Sequence, residues 1–291
     1  MQFRGIYAPL TTPFDHQGNV YRSKFEFNLS QLRRTKLSGF VVADQWGEGL
    51  LLAEEERVDI WRRAVALSSG EADILAAISG TGVPVTRRLL SEAATAGCAA
   101  AIVEAPETDK LAPGSDTTDL FYRSVADSAS LPLLVGIRLD GADERNAAQL
   151  AGLAAHPRIS GAAIQNCNPA FVRAARRACG SEFAIVVRDM EAAVPCLEAG
   201  ACAAILAVAS VVPFYVLSIE EAVRTREHAA ALELVARAVD LERLLQRHGV
   251  PALKRALDLR SGYGGRPRLP LSDVSAPTSE AIALALYELA S

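Results

Sequence analysis

Lysine and histidine are both scarce in this chain of 291 residues, and arginine carries most of its positive charge. The lysines are Lys24, Lys36, Lys110 and Lys254. The four histidines are scattered and lack the His-x-His or His-x3-His spacing that zinc sites commonly use. The sequence therefore predicts no metal site.

Long apolar runs and basic stretches are missing as well. Acidic residues outnumber basic ones by 34 to 30, and no run of lysine and arginine offers a surface for nucleic acid or anionic lipid. The longest apolar stretch, residues 199–215, is interrupted by Gly200, Ser210 and Pro213, which argues against a transmembrane helix. No apolar signal-peptide core follows Met1. We expect a cytoplasmic protein with no nucleic-acid or membrane partner.

Motifs for cofactors and nucleophiles are also absent. The five cysteines are odd in number, irregularly spaced and without a CxxC pair, which favours reduced and mostly buried thiols. Cys167 follows a predicted strand, but no histidine is placed to act as its base. Gly80-Thr81-Gly82 lacks the GxxxxGKS/T context of a phosphate loop, and no Gly-x-Ser-x-Gly elbow occurs. We therefore expect no cofactor.

Short apolar runs alternate with amphipathic segments along most of the chain. The predicted strands are residues 6–10, 39–43, 73–78, 99–103, 132–137, 159–163, 183–187 and 203–208. The runs are apolar throughout, as in parallel strands covered on both faces. Eight such units with helices between them predict a (β/α)8 TIM barrel. The remaining helical segments, without strands, predict a barrel over residues 1–223 and a C-terminal helical extension over residues 224–291.

Four segments, in order and spacing, carry a resemblance to one enzyme family. They are GIYAPLTTPFD at 5–15, VVA at 41–43 with the following Gly47-Glu48 and EEER at 54–57, GACAAI at 200–205, and RPRLPL at 266–271. Together they resemble the dihydrodipicolinate synthase / N-acetylneuraminate lyase family over almost the whole chain. The resemblance implies a TIM barrel, carbon–carbon lyase or aldolase ancestry on 2-oxo acids, and a homo-oligomer, either a tetramer or a dimer.

The chain departs from that family where the resemblance places its chemistry. Ala163 stands at the position of the Schiff-base lysine, and Gly136 at the position of the tyrosine that relays protons. The loop after strand two, Gly-Thr-Thr-Gly-Glu in the family, reads Asp-Gln-Trp-Gly-Glu at residues 44–48. A methyl group cannot condense with a ketone, so we expect no pyruvate imine at Ala163. No catalytic residue is assigned.

Polar side chains still crowd the carboxyl ends of the predicted strands, where the active sites of such barrels lie. The candidate ligand-binding residues are Asp44, Gln45, Trp46, Glu48, Glu104, Lys110, Arg138, Gln165 and Arg188. Glu104 could pair with Arg138 or with Arg188 in a structural ion-pair network. Alternatively, the two guanidiniums form a site for a small anion. Trp46 is either a lid or subunit contact, or an apolar wall of the pocket.

Three functions stay open at this point. The first is a lyase-family barrel that has lost the imine mechanism and binds a small anionic ligand or uses acid and base groups alone. The second is a catalytically silent paralogue with a structural or regulatory role. The third is an active lyase whose imine lysine has moved to Lys110, although a solvated loop lysine is the simpler interpretation because a useful amine needs a desolvated setting.

Overall fold

The computed structural model describes residues 2–107, 117–139, 141, 143–260 and 262–290. Its strands pair in parallel in a closed barrel, in the order β1 to β8. The strands are β1 (Gly5–Leu10), β2 (Gly39–Val42), β3 (Asp73–Ile78), β4 (Ala100–Glu104), β5 (Leu133–Arg138), β6 (Ile159–Gln165), β7 (Ala184–Val187) and β8 (Ala203–Ile205). The predicted TIM barrel is confirmed.

Helices alternate with the strands and continue beyond the last one. They are α1 (Arg22–Leu32), α2 (Glu54–Ser68), α3 (Val83–Ala96), α4 (Thr117–Ala126), α5 (Asp143–Ala154), α6 (Pro169–Cys179), α7 (Met190–Glu198), α8 (Pro213–Arg224), α9 (His228–His248), α10 (Val250–Asp258) and α11 (Ala276–Ala290). Within the described part of the chain, none of them is long and apolar enough to cross a membrane.

One strand is shorter than predicted. Residues 203–208 read as a continuous apolar run, but β8 ends at Ile205 and Ala207–Ser210 form a 3-10 turn. The Ser210 hydroxyl donates to the carbonyl oxygen of Pro9 at 2.5 Å, and this bond holds the turn. Hydrophobicity alone does not separate a buried strand from a buried turn, since both exclude water.

Contacts divide the chain into two compact units. The first unit comprises Met1–Arg4 and Leu75–Ile205, and the second comprises Gly5–Ile74 and Leu206–Ser291. The first unit contains strands β4 to β8, whose residues are mostly buried and apolar. The second contains β1, β2 and the tail helices, where α9 packs against α8 and α11. A boundary between residues 223 and 224 stays a prediction.

Candidate functional site

The strand register of the first unit aligns the candidate residues in two levels. Glu104 of β4 pairs with Gly136 of β5, which pairs with Ala163 of β6. Register partners in a parallel sheet point to the same face, and so does every second residue along each strand. Two residues further on, Arg138 pairs with Gln165. The register therefore places Arg138 and Gln165 one level above Glu104, Gly136 and Ala163.

Arg188 joins the upper level from the next strand. Ala163 is the register partner of Val186 in β7, so Arg188, two residues later, stands level with Gln165. The backbone N–H of Arg188 donates to the carbonyl oxygen of Ile164 at 2.9 Å, which continues the ladder past the end of β7. Sequence reasoning had placed these side chains at one rim, and the register gives their order across it.

Glu104 and Arg188 form an ion pair in this unit. Nη1 of Arg188 lies 2.5 Å from Oε1 of Glu104, with 6% of the arginine side chain and 35% of the glutamate side chain exposed. The sequence left open whether Glu104 pairs with Arg138 or Arg188, and the structure selects Arg188. A guanidinium this well buried needs such a partner, because an unpaired buried charge is very costly. The glutamate side chain, by contrast, is partly exposed.

The side chain of Glu104 also occupies the space next to Gly136. A Cβ atom placed on Gly136 would collide with Cγ of Glu104 and lie 3.4 Å from its carboxyl carbon. A larger side chain at residue 136 would therefore force Glu104 to move. The side chain of Glu104 therefore fills the space that a side chain at residue 136 would need.

Arg138 is the exposed guanidinium of the site. It ends β5 and is exposed. The carboxylate of Asp189, which follows β7, accepts the backbone N–H of Cys167 at 3.0 Å. Burial raises the pKa of Asp189, while Arg188 and Arg138 act in the opposite direction by attraction. Arg138 therefore attracts Asp189 electrostatically and is itself exposed.

Cys167, whose backbone N–H donates to Asp189, has a buried thiol. Its pKa is raised by a hydrogen bond with the Cys196 thiol and by burial, and both effects keep it protonated. A nucleophilic cysteine needs the opposite shift. The expected buried, unreactive thiol fits this environment.

The loop after β2 lies in the second unit and is built around Asp44. Its carboxylate accepts the backbone N–H groups of Trp46 at 3.0 Å and Gly47 at 3.1 Å. Trp46 is buried and Gln45 is exposed. Asp44 therefore shapes the turn after β2, and Gln45 is the exposed side chain among Asp44, Gln45 and Trp46.

Glu48, the last candidate of that loop, is enclosed. Its side chain is 0% exposed, and its Oε1 lies 2.5 Å from Nζ of Lys254, which is 1% exposed. Its other oxygen accepts the backbone N–H of Arg268 at 2.7 Å. The sequence predicts Glu48 as a ligand-binding candidate and places Lys254 in the C-terminal helical extension. The structure instead makes them a buried ion pair, so Glu48 is a structural residue.

A shared aromatic ring extends this ion pair into a larger cluster. Nζ of Lys254 lies 4.5 Å from the ring centroid of Phe14, and the Arg268 guanidinium lies 4.2 Å from the same ring. Arg268 also binds both carboxylate oxygens of Glu56, at 2.6 and 2.7 Å. Burial lowers the pKa of Lys254, and Glu48 opposes that shift. The cluster fastens the tail to the loop after β2.

Comparison with known proteins identifies the family to which this arrangement belongs. The model of the dihydrodipicolinate synthetase family matches residues 2–288. The chain belongs to this family. A 4-hydroxy-tetrahydrodipicolinate synthase from Xanthomonas campestris is 28% identical over 284 residues, which cover 95% of this chain and 91% of that protein.

Further relatives show the range of the family. A protein from Emericella nidulans, named as a probable mitochondrial 4-hydroxy-2-oxoglutarate aldolase, is 28% identical over 286 residues, covering 95% of this chain and 90% of that one. The 4-hydroxy-tetrahydrodipicolinate synthase structure from Methylacidiphilum fumariolicum superposes with a TM-score of 0.89 at 21% identity, covering 99% of this chain and 96% of that chain. Membership of this family therefore gives the chain a lyase or aldolase ancestry.

Within the dihydrodipicolinate synthetase family, the resemblance assigns the imine lysine to the position of Ala163. That residue is fully buried and ends in a methyl group. Lys110, the alternative amine, lies outside the described residues. Among the residues that are described, no group of three or more His, Cys, Asp or Glu side chains is arranged to hold a metal ion.

A tyrosine that sequence reasoning missed lies beside Gly136. The Tyr122 hydroxyl, on α4, donates to the carbonyl oxygen of Gly136 at 2.5 Å and accepts the N–H of Ala105 at 3.2 Å. Burial raises the pKa of Tyr122, so the hydroxyl stays protonated. Both bonds tie the ends of β4 and β5 together. The apolar face of α4 predicts that Tyr122 is buried, but it does not reveal which group its hydroxyl binds.

Proposed function

We propose that this member of the family binds a small carboxylate at the carboxyl ends of β4 to β7 and forms no pyruvate imine at residue 163. The proposal rests on a difference in burial and pairing between Arg138 and Arg188. Arg188 is buried and neutralised by Glu104, whereas Arg138 is exposed in the same row of residues. A guanidinium offers two parallel N–H donors that match a carboxylate.

The reaction left to such a site is limited by its side chains. Without an amine at 163, no imine stores the electrons of a broken carbon–carbon bond. The hydroxyl of Tyr122 is bonded to backbone on both sides, so it does not replace the relay tyrosine. Glu104 is a partly exposed carboxylate of the site, and we assign any acid or base function to it. The proposal is therefore carboxylate binding, with chemistry restricted to proton transfer.

A thermal-shift screen tests this proposal. We expect acetate, propionate or pyruvate to raise the melting temperature of the wild type, because a carboxylate that binds the native state stabilises it. Arg138→Gln should weaken that binding about tenfold to a hundredfold, since charged hydrogen bonds contribute about 1.5–3 kcal/mol. Arg173→Gln, an exposed arginine of α6, is the matched control and should bind like the wild type.

The outcome also separates this function from its main rival. The Glu104–Arg188 pair satisfies its own charges, which favours a catalytically silent paralogue with a structural or regulatory role. If no carboxylate or phosphate shifts the melting temperature, and Arg138→Gln changes nothing, the silent paralogue is the better account. A shift that survives in Arg138→Gln would place the anion elsewhere.

The assembly is a further proposal. We expect a homotetramer or homodimer, because family resemblance implies it and closed symmetry is the usual outcome for such enzymes. Large apolar side chains are exposed on the tail helices and α8, among them Phe214 at 69% and Tyr287 at 72%. Light scattering at micromolar concentration should report a multiple of 30.9 kDa. A monomeric mass would contradict the prediction.

A further inference from the structure

The second unit contains a pocket of about 700 Å³ whose lining includes none of the candidate ligand-binding residues. Its walls come from α1, from the 3-10 turn after β8 with the start of α8, from the end of α10 with the segment after it, and from the end of α11. A volume of this size is in the range that small-molecule sites occupy. The pocket is therefore a candidate site for a second ligand, independent of Arg138 and Glu104.

The wall of this pocket is mostly aliphatic. Its buried apolar residues are Leu32, Val211, Val212, Leu257 and Leu289. An aliphatic wall favours a hydrocarbon chain, because each methylene group that leaves water contributes to binding. The pocket therefore suits a ligand with an apolar, aliphatic body.

Three polar side chains of the pocket are already bonded within the protein. The Asn28 side chain donates to the carbonyl oxygen of Tyr263 at 2.7 Å and accepts the N–H of the same residue at 2.8 Å. The Thr35 hydroxyl donates to the carbonyl oxygen of Leu32 at 2.6 Å, and the Ser210 hydroxyl is engaged in the turn after β8. These groups stabilise the wall and leave the recognition of a ligand to other side chains.

Gln31 and Arg260 supply the polar groups that the protein itself does not engage. Gln31 is half-buried and Arg260 is exposed, and within the described residues neither side chain makes a hydrogen bond or an ion pair. Among the described residues that line the pocket, Arg260 is also the single charged side chain. Since no carboxylate of the lining neutralises it, the guanidinium attracts an anion to the solvent side of the pocket.

We propose that this pocket binds an aliphatic monocarboxylate of medium chain length, such as octanoate. The carboxylate lies against the Arg260 guanidinium, the Gln31 amide supplies a further N–H donor, and the chain covers the aliphatic wall. A second charge on the ligand would face that wall without a partner, which is costly. The ligand is therefore a single anion with one apolar body, in contrast to the short carboxylate proposed for Arg138.

Three ligands test the charge and the chain separately. Calorimetry compares octanoate, butyrate and octylammonium on the wild type and on Arg138→Gln, in which the carboxylate site at the ends of β4 to β7 is weakened. We expect octanoate to bind at least about tenfold more tightly than butyrate, because each methylene removed from water tightens binding about fourfold. Octylammonium has the same chain and the opposite charge, and it should bind about tenfold or more weakly than octanoate. Both differences should persist in Arg138→Gln.

A variant of Arg260 assigns the anion to this pocket. Arg260→Gln removes the charge of an exposed and unbonded side chain, so the fold should persist while octanoate binds about tenfold more weakly. Arg34→Gln changes an exposed arginine just after α1 that does not line the pocket, and this matched control should bind octanoate like the wild type. The inference is overturned if octanoate binds no more tightly than butyrate or octylammonium, or if its affinity is unchanged in Arg260→Gln. Octanoate binding that is lost in Arg138→Gln would belong to the first site and would overturn the inference as well.

Discussion

Replacing Lys254 with methionine is expected to destabilise the protein by about 3–5 kcal/mol, because it leaves a buried carboxylate without its counter-charge. Glu48 has no exposed side-chain surface, and Lys254 lies 2.5 Å from it. Glu48 also adopts a left-handed backbone conformation, at φ 56°, which a non-glycine residue holds only when its surroundings enforce it. Urea unfolding measures the loss as a lower transition midpoint at an unchanged slope.

Two further variants serve as a control and as a test of the buried-charge explanation. Lys36→Met changes an exposed lysine and should stay within about 0.5 kcal/mol of the wild type. The double variant Glu48→Gln/Lys254→Met should lose less than Lys254→Met alone, because no buried charge remains. A loss below about 1 kcal/mol in Lys254→Met would show that Glu48 becomes protonated or hydrated at little cost.

Borohydride reduction in the presence of pyruvate is expected to leave the wild-type mass unchanged. Reduction traps an imine as a stable adduct, and Ala163 has no amine with which to form one. Mass spectrometry of the intact chain, followed by peptide mapping, checks the result. An adduct at any lysine would contradict it, and an adduct at Lys110 would support a relocated imine site.

Restoring the lysine alone should not restore a fast lyase. Ala163→Lys supplies an amine, but Gly136 offers no hydroxyl, and acid–base catalysis contributes about 10²–10⁴-fold to such reactions. Adding Gly136→Tyr should not repair this, because the Cβ of residue 136 would collide with Cγ of Glu104. The turnover of pyruvate-dependent aldol substrates compares the variants. Efficient turnover by Ala163→Lys alone would show that residues 136 and 104 matter little.

Much of the fold was predictable from local patterns. Apolar runs without alternation indicate parallel strands covered on both faces, and all eight predicted strands correspond to observed ones. The exception is the end of β8, where a run of buried small residues bends into a 3-10 turn. The substitutions at Ala163 and Gly136 were also readable, because a missing amine or hydroxyl is a property of residue identity.

Partners, in contrast, were decided by the tertiary structure. The sequence placed Glu104 near two arginines, but the choice of Arg188 over Arg138 depends on the strand register and on which guanidinium becomes buried. Likewise, the sequence predicts Glu48 as a ligand-binding residue, whereas in the structure Glu48 is buried in an ion pair with Lys254. An ion pair joins segments that are remote along the chain, and the periodicity of each segment carries no information about the other. The sequence by itself determined the barrel and the loss of the imine group at residue 163, whereas burial and convergence in three dimensions decided which charged residues remain accessible to a ligand.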